Sequence, residues 1–275
     1  MIFRAIATAF QFLTIIPIQT KKEISERDVY NLSSFFPLIG ALQGLFLALL
    51  VFLFLKIMPA SVTAAFTLIF SVLITGGFHQ DGLSDTFDAL SIKSSGDGEN
   101  DRARRLQVMK DSTVGPMGVI VIVLSLLLKY LLMNETLQMH NGDEKYIVFF
   151  LMPLFSKWAM VTAMYRAKSA RNDGIGRIFL EHTGLKQIII ATGFLVVISF
   201  LVYYMFSQFL PSPHLWSYRP FISFFIFVIV FIYLAGLVLK HIFTARFGGL
   251  TGDNFGAIHE ISELLFLTII LLWKC

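Results

Sequence analysis

Three aspartates follow a long apolar run at a spacing that could do chemistry. Asp81, Asp85 and Asp88 stand at positions i, i+4 and i+7 of the segment 76–88, so a helix would place all three carboxylates on one face. Carboxylates stacked in this way repel one another and need a compensating cation. Mg²⁺ takes carboxylate oxygens and keeps positions open for phosphate. The spacing therefore predicts metal-assisted phosphoryl transfer at a membrane surface.

A solvated helix face is the simpler explanation of the same acids. Two features count against it. Gly76, Gly77 and Gly82 let a backbone or a ligand approach closely, and the segment lacks the lysines and arginines that usually balance surface acids. His79 lies within the segment and could be a general base, a phosphate contact or an interfacial residue.

The segment 110–118 closes the loop that follows the acidic stretch. Ser112 or Thr113 could cap the next helix, and this structural role would explain both residues. A helix N-terminus beside Lys110 would also suit a phosphate group. A lysine at this place could equally be an interfacial anchor.

The loop 166–177 is basic and contains glycines. Its basic residues are Arg166, Lys168, Arg171 and Arg177. The simplest explanation of these basic residues is topological, because positive charge keeps a loop in the cytoplasm. The alternative is diphosphate binding, because arginine forks bind phosphate oxygens in bidentate fashion.

Three glycines and an acid precede the last apolar run, in the segment 248–254. Asp253 or Asn254 could simply cap the helix that follows. The segment, with Gly249, Thr251 and Asp253, would also suit a second contact to phosphate and metal.

Charged residues also enter the last apolar run itself, where Glu260 and Glu263 share a helix face and His259 precedes them. A charge near the bilayer centre costs about 2.5–3.5 kcal/mol, so such groups face a polar cavity or a partner. Lys157, inside another apolar run, is the predicted partner. Proton-coupled transport would use the same residues.

The composition places these motifs in a membrane protein. Hydrophobic residues make up 56% of the chain and charged residues 15%, with a mean hydropathy of +0.74, whereas soluble domains are about a quarter charged. The apolar residues form runs of about twenty, long enough to cross about 30 Å of hydrocarbon. The predicted spans are 33–57, 59–78, 115–133, 146–165, 187–209, 220–241 and 256–273.

The N-terminal segment 1–18 is apolar too, but Arg4 and Gln11 interrupt it and Pro17 ends it. It could span, re-enter or lie in the interface. We therefore predict an all-α polytopic membrane protein with about seven transmembrane helices plus this N-terminal helix.

The number of lysines and arginines alternates between high and low in successive segments that connect the predicted spans. Fifteen of the 22 fall in the segments 19–32, 79–114, 166–186 and 240–255. Five are assigned to the other side, in or near the alternating connections and at the C-terminus, namely Lys56, Lys129, Lys145, Arg219 and Lys274. The positive-inside rule places the richer segments in the cytoplasm. Every motif described above then lies on the cytoplasmic side, and the C-terminus lies outside.

Other features narrow the class of protein. The single cysteine, Cys275, excludes an intrachain disulfide and a cysteine-based metal site. A net charge of +4 reflects basic loops and not a nucleic-acid-binding face. No small-residue cleavage site of a signal peptide occurs before Pro17. No internal repeat stands out, which counts against an inverted-repeat transporter. No polar stretch is long enough for a separate soluble domain. Residues 1–275 are predicted to form a single integral membrane domain.

Taken together, these motifs resemble the cobalamin synthase family, the adenosylcobinamide-GDP ribazoletransferases of bacterial and archaeal membranes. The resemblance runs the length of the chain and is carried, in order, by 9–14 (AFQFLT), 35–40 (FFPLIG), 75–88 (TGGFHQDGLSDTFD), 109–112 (MKDS) with Gly115 and Gly118, and 249–253 (GLTGD). The chain departs from the family pattern at Ala89, where a glycine is expected, and at Thr113, where an arginine is common. Both departures leave every proposed metal ligand in place.

The resemblance implies a reaction in which α-ribazole, or its 5′-phosphate, displaces GMP from adenosylcobinamide-GDP to give adenosylcobalamin or its 5′-phosphate. A ribose hydroxyl would attack the phosphorus nearest the cobinamide, while metal and basic groups screen its oxygens. The implied Mg²⁺ ligands are Asp81, Asp85, Asp88 and Asp253. The base would be His79 or Asp111. The implied substrate-binding residues are Lys110, Arg166, Arg171, Gly249, Thr251 and Glu260. The setting would be the lipid bilayer of a bacterial inner membrane, without nucleic acid, and a homo-oligomer is compatible with the sequence.

Two alternatives stay open. A CDP-alcohol-type membrane phosphotransferase also uses clustered aspartates, but its pattern has Ala-Arg after the first Asp-Gly, where this chain has Leu83 and Ser84. A cation- or proton-coupled transporter would explain Lys157, Glu260 and Glu263. It predicts functional carboxylates near the middle of the bilayer, whereas the aspartates are expected at its cytoplasmic edge.

Overall fold

The apolar runs of the chain form α-helices, because a helix pairs its backbone N–H and C=O groups within the segment and so tolerates hydrocarbon. The structure is a computed structural model that describes residues 2–17, 30–139, 142–209 and 218–274. Within these ranges it contains helices and no strand. The helices are α1 (Ile2–Leu13), a 3₁₀ turn (Leu32–Phe35), α2 (Phe36–Phe54), α3 (Ala60–Ile74), α4 (Phe78–Leu90), α5 (Gly98–Val108), α6 (Pro116–Met139), α7 (Glu144–Met164), α8 (Ile175–His182), α9 (Leu185–Phe209), α10 (Tyr218–Phe247) and α11 (Gly252–Lys274).

Six of these helices are long and apolar enough to cross a membrane, namely α2, α6, α7, α9, α10 and α11. The prediction of an all-α polytopic membrane protein is confirmed. The lysines and arginines of the segment 19–32 lie outside the described residues, since Lys21, Lys22 and Arg27 all precede residue 30.

The predicted span 59–78 is broken in the structure. Helix α3 ends at Ile74, and α4 leaves at an angle of 84° after a short turn. Gly76 and Gly77 form the turn with φ angles of +64° and +73°, a conformation that glycine adopts at little cost. The bent pair makes a seventh candidate span only when α3 and α4 are counted together, and the bend turns the acidic stretch away from the direction of α3.

The N-terminal helix α1 is too short to span the membrane. Its 12 residues extend about 18 Å, against about 30 Å of hydrocarbon. Its C-terminal end is held by two other helices: Gln43 donates a side-chain hydrogen bond to the Leu13 carbonyl at 3.1 Å, and the Ile15 N–H donates to the Ile74 carbonyl at 3.0 Å. The interfacial and re-entrant alternatives fit this length.

Helix α7 lies at the centre of the bundle and is almost entirely buried. It packs against α2, where Gly40 and Gly44 lie directly on the α7 backbone at Pro153 and Phe150. A Cβ at either glycine would collide with those carbonyl groups, so the small residues permit the close helix contact. The other helices, including the two that carry the acidic motifs, are arranged around this core.

Candidate active site

The candidate active site forms where α4 crosses α11. Gly82 on α4 lies against the backbone of Asp253, and a Cβ there would come within 2.6 Å of the Asp253 carbonyl oxygen. Gly256 on α11 lies in the same way against His79, with a corresponding distance of 3.0 Å to the His79 carbonyl oxygen. Glycine at both positions lets the two backbones touch. The motifs 76–88 and 248–254 are thereby brought together.

Three aspartates lie close to this crossing. Asp81 is exposed, and Asp85 and Asp253 are half-buried; we call these three residues the acidic cluster. Partial burial of Asp85 opposes a negative charge on its carboxylate, the nearby carboxylates of Asp81, Asp253 and Asp88 add repulsion, and Arg171 offsets these effects only in part. The cluster therefore carries an excess of negative charge that a cation would relieve.

Asp88, the fourth predicted metal ligand, is buried and already engaged. Its carboxylate accepts hydrogen bonds from the backbone N–H groups of Gly115, at 2.7 Å, and Gly118, at 2.8 Å. A Cβ at either glycine would collide with this carboxylate. Asp88 thus caps the N-terminus of α6 from a neighbouring helix, the role that the sequence assigned to Ser112 or Thr113. No observation tests its role as a metal ligand, which stays a prediction.

The basic loop 166–174 pairs with the chain that enters α11. The Ala170 N–H donates to the Leu250 carbonyl at 2.9 Å, and the Leu250 N–H donates to the Lys168 carbonyl at 2.8 Å. Gly249 lies so close to this loop that a Cβ would reach the Lys168 carbonyl oxygen at 2.5 Å. The predicted substrate-binding residue Gly249 therefore has a packing role, and the pairing fixes the position of Arg171.

Arg171 joins the basic loop to the acidic cluster. Its Nη2 lies 3.1 Å from a carboxylate oxygen of Asp253. Neither Nε nor Nη2 has a hydrogen-bond partner of suitable geometry among the described residues, although both are buried. A guanidinium in this state retains donors for an anionic ligand such as phosphate.

Thr251 caps α11, which leaves the Asp253 carboxylate free of that role. The Thr251 N–H donates to the Asn254 side chain at 2.9 Å, and the Asn254 N–H donates to the Thr251 hydroxyl at 3.3 Å, a reciprocal capping arrangement. Asn254 also donates to the hydroxyl of Thr86 on α4 at 3.1 Å. Capping by Thr251, reinforced by Asn254, thus fastens the start of α11 to α4.

Three further predicted residues are exposed. Lys110 pairs with Asp173 at 3.4 Å, which links the loop before α6 to the basic loop. Asp111 accepts hydrogen bonds from the Thr113 N–H, at 3.0 Å, and hydroxyl, at 2.7 Å, and these lower the pKa of the Asp111 carboxyl. Arg166 is exposed, with its guanidinium 6.0 Å from the ring of Tyr165. Lys110 thus lies beside the basic loop, and all three residues are exposed.

His79, the other candidate base, is fully buried. Its ring stacks on that of His259 at a centroid distance of 3.9 Å, and neither ring nitrogen has a hydrogen-bond partner among the described residues. The side chain is thus buried against α11, whereas Asp81 is exposed. Its catalytic role stays a prediction, and this placement favours an indirect one.

Glu260 and Glu263 lie in a buried ionic network inside the bundle. Their cationic partner is Lys129 of α6, whose ammonium group lies 3.0 Å from Glu260 and also pairs with Glu263. Lys157, the partner predicted from the sequence, instead lies 3.0 Å from the His259 ring nitrogen Nε2. Glu260 is 2% exposed, so its predicted substrate contact stays untested and its observed contacts are internal.

Sequence reasoning missed Lys129 because it was counted with the loop charges. A lone lysine inside the apolar run 115–133 was the signal that could have identified it. The same network contains the group of His259, Glu260 and Glu263, the residues of the described chain whose ligand atoms lie within 4.8 Å of one another. Lys129 already supplies positive charge to both glutamates there, which makes a metal ion unnecessary at that place.

Similar proteins are found along nearly the whole chain. Residues 5–271 match the family model described as Cobalamin-5-phosphate synthase. Three similar curated proteins bear the name adenosylcobinamide-GDP ribazoletransferase. That of Thermodesulfovibrio yellowstonii is 38% identical over 96% of this chain and 94% of its own. Those of Geotalea daltonii and Acinetobacter baumannii strain ACICU are 33% and 32% identical, each over 94% of this chain and 93% of its own. No solved structure matches the chain.

Proposed function

The chain belongs to the cobalamin-5-phosphate synthase family, and from this premise we propose that it joins α-ribazole, or its 5′-phosphate, to adenosylcobinamide-GDP with release of GMP. The names of its relatives support the substrates and the reaction. The observation that carries the proposal at the level of residues is the meeting of Asp81, Asp85 and Asp253 with Arg171 at the crossing of α4 and α11.

The acidic cluster fits Mg²⁺ by the chemistry of its donors. It offers carboxylate oxygens alone, and Mg²⁺ is usually held by one or two carboxylates together with substrate phosphates and water. A preformed cage of protein ligands is therefore not required. Asp81, Asp85 and Asp253 would hold the ion, and Mg²⁺ bound there supplies positive charge that screens the diphosphate oxygens.

The side chains of the site would divide the remaining tasks. Arg171, whose Nε has no hydrogen-bond partner among the described residues, binds oxygens of the diphosphate. Its pairing with Asp253 keeps the guanidinium beside the acidic cluster while the substrate is absent. Lys110, beside the basic loop, attracts the anionic nucleotide as it enters. Asp88 holds the N-terminus of α6 in place, and so orients α4 at the site.

The membrane orientation is part of the proposal. The excess of lysine and arginine in alternate segments supports an active site on the cytoplasmic side of a bacterial inner membrane, with the C-terminus outside. A cytoplasmic site would be open to soluble nucleotides.

The two alternative functions are not favoured. The residues after Asp81-Gly82 depart from the CDP-alcohol phosphotransferase pattern. The intramembrane carboxylates that a transporter would use are paired with Lys129 in the closed interior of the bundle.

The test is GMP release from adenosylcobinamide-GDP by purified protein. We expect release that depends on both α-ribazole and Mg²⁺, and that is lost on chelation of the metal and restored by its return. GMP release that proceeds without α-ribazole would contradict the proposed reaction. GMP release that is equally fast without divalent metal would contradict the proposed metal.

A further inference from the structure

A small aromatic cavity adjoins the acidic cluster. It has a volume of about 190 Å³ and lies where α1, α4, α8 and α11 meet. Four phenylalanines from these four helices line it: Phe12, Phe78, Phe179 and Phe255. The ring of Phe12 lies 5.5 Å from that of Phe78 and 4.8 Å from that of Phe179, so these aromatic faces form a continuous wall. Arg171 and Asp253 line the same cavity.

The volume limits what the cavity can hold. An apolar cavity of roughly 150 Å³ binds benzene, and sites for drug-sized ligands measure roughly 300–1,000 Å³. A space of about 190 Å³ therefore admits a ring system slightly larger than benzene. Its enclosed part is too small for a corrinoid or for a complete nucleotide, so the rest of a larger ligand would extend through the open side, where Phe78 and Ile175 are exposed.

The polar side chains of the lining are mostly engaged with the protein. Ser169 donates its hydroxyl to the Arg171 carbonyl at 2.7 Å, Arg177 pairs with Glu181 at 2.6 Å, and Asp173 pairs with Lys110. Away from the wall formed by Arg171 and Asp253, a guanine base would bring several donors and acceptors into this space and leave them without side-chain partners, which is costly. A benzimidazole-type base has an apolar edge and a flat face that suits phenylalanine.

Resting on the proposed function, we propose that this cavity, the base pocket, binds the benzimidazole-type base of α-ribazole. Arg171 and Asp253 form the wall that the base pocket shares with the acidic cluster. A base held among the phenylalanines places the attached ribose at that wall. The ribose hydroxyl then faces the diphosphate of the second substrate, and the base pocket determines which lower-ligand bases are accepted.

The experiment changes the aromatic wall without touching the acidic cluster. Phe78 is 40% exposed, and Phe66, on α3 outside the base pocket, is 38% exposed, so Phe66→Leu is a matched control for Phe78→Leu. Loss of one stacking ring is worth about tenfold in binding. We expect Phe78→Leu to raise the KM for α-ribazole by about tenfold, with the KM for adenosylcobinamide-GDP and inhibition by GMP unchanged. Phe66→Leu should change none of these.

A second variant fills the space instead of opening it. Ile175 lines the base pocket at its exposed rim, so Ile175→Trp can narrow the entrance without disturbing the core. We expect a loss of α-ribazole affinity that is larger for a 5,6-dimethylated base than for unsubstituted benzimidazole riboside. This variant tests the proposal even if Phe78→Leu does not fold.

Direct binding separates this inference from the proposed reaction. Equilibrium dialysis of α-ribazole against purified protein requires no turnover. Binding that is weakened by both variants, in a protein that releases no GMP, would retain the base pocket and reject the reaction. Turnover by wild type with an unchanged KM for α-ribazole in both variants would reject the base pocket. Weaker inhibition by GMP in Phe78→Leu, with α-ribazole unaffected, would assign the cavity to guanine and overturn the proposal.

Discussion

Gly82 lies against the backbone of Asp253, at a distance that leaves no room for a side chain. This contact joins the two acidic motifs, which are far apart in the sequence, and sets the separation of α4 and α11. Because the carboxylates of Asp81 and Asp85 flank Gly82 on α4, a change in that separation moves them relative to Asp253. The geometry of the site therefore depends on a residue that has no side chain to offer the substrate.

Gly82→Ala should disable the site by pushing the two helices apart. The added Cβ would meet the Asp253 backbone at 2.6 to 3.2 Å, and neither backbone can yield without shifting its helix. We expect GMP release to fall by at least about tenfold, since small displacements of catalytic groups have effects of about 100-fold. Gly193→Ala is the control, because nothing lies within 4 Å of a Cβ at that position. Wild-type rates in purified Gly82→Ala would refute the dependence on this contact.

Asp85→Asn and Asp88→Asn should separate metal binding from helix capping. Asp85 is half-buried among carboxylates, so its neutralisation should abolish Mg²⁺-dependent turnover while relieving repulsion and leaving the fold at least as stable. Asp88 accepts two backbone hydrogen bonds, and its neutralisation should lower stability by about 1–2 kcal/mol through the weakened cap.

The measurement is thermal unfolding in detergent, together with GMP release at increasing Mg²⁺. Asp88→Asn should retain its response to Mg²⁺ but melt at a lower temperature than wild type. Asp85→Asn should lose its response to Mg²⁺ and melt at or above the wild-type temperature. If Asp88→Asn unfolds like wild type but has lost its response to Mg²⁺, Asp88 is a metal ligand and not mainly a cap.

The sequence was sufficient for the parts of the molecule that depend on local pattern. Hydropathy predicted the spans because lipid requires long apolar helices, and the ordered motifs predicted the family to which the chain belongs. The three aspartates of α4 are indeed on a helix. Their unequal environments could not be predicted, because the contact of Asp88 with the N-terminus of α6 has no local signal in the sequence.

Partner choice inside the bundle was also beyond the sequence. Lys129 and Lys157 both lie in apolar runs, and either could have paired with Glu260 and Glu263. The rotation of α6 and α7 about their axes determines which lysine faces the glutamates, and that rotation follows from packing across the whole bundle. Lys157 is buried in the predicted network beside His259, but Lys129 makes the ion pairs with the two glutamates. The base pocket likewise requires four helices that no single segment specifies.

Asp111→Asn should leave the pH dependence of the reaction unchanged between pH 6 and 9. Hydrogen bonds from Thr113 lower the pKa of Asp111 below its ordinary value of about 3.9, so the carboxylate is ionised throughout that range and does not titrate within it. A base with so low a pKa is also a poor proton acceptor near neutrality. The profile of kcat/KM against pH in the two proteins is the measurement. An acidic limb present in wild type and absent in Asp111→Asn would identify Asp111 as the base.

Lys129→Met should destabilise the bundle strongly, because it leaves two buried carboxylates without their cation. Removing one partner of a buried pair costs about 3–5 kcal/mol, and Lys129 serves both Glu260 and Glu263. Lys56→Met is the control, since Lys56 is exposed and lies over the ring of Phe52. Unfolding by SDS, followed by helix content, provides the measurement.

A compensating substitution distinguishes this ionic role from simple loss of packing. In Lys129→Met combined with Glu263→Leu, one of the two unpaired carboxylates is gone, so the double variant should be more stable than Lys129→Met alone. The remaining deficit is expected from Glu260, which still accepts a hydrogen bond from Gln80 at 3.0 Å. Additive losses in the double variant would mean that the two side chains do not interact in the folded protein. Coupling would show instead that Lys129 neutralises the buried glutamates. The aspartates of the acidic cluster would then be the carboxylates whose negative charge is available to a metal ion.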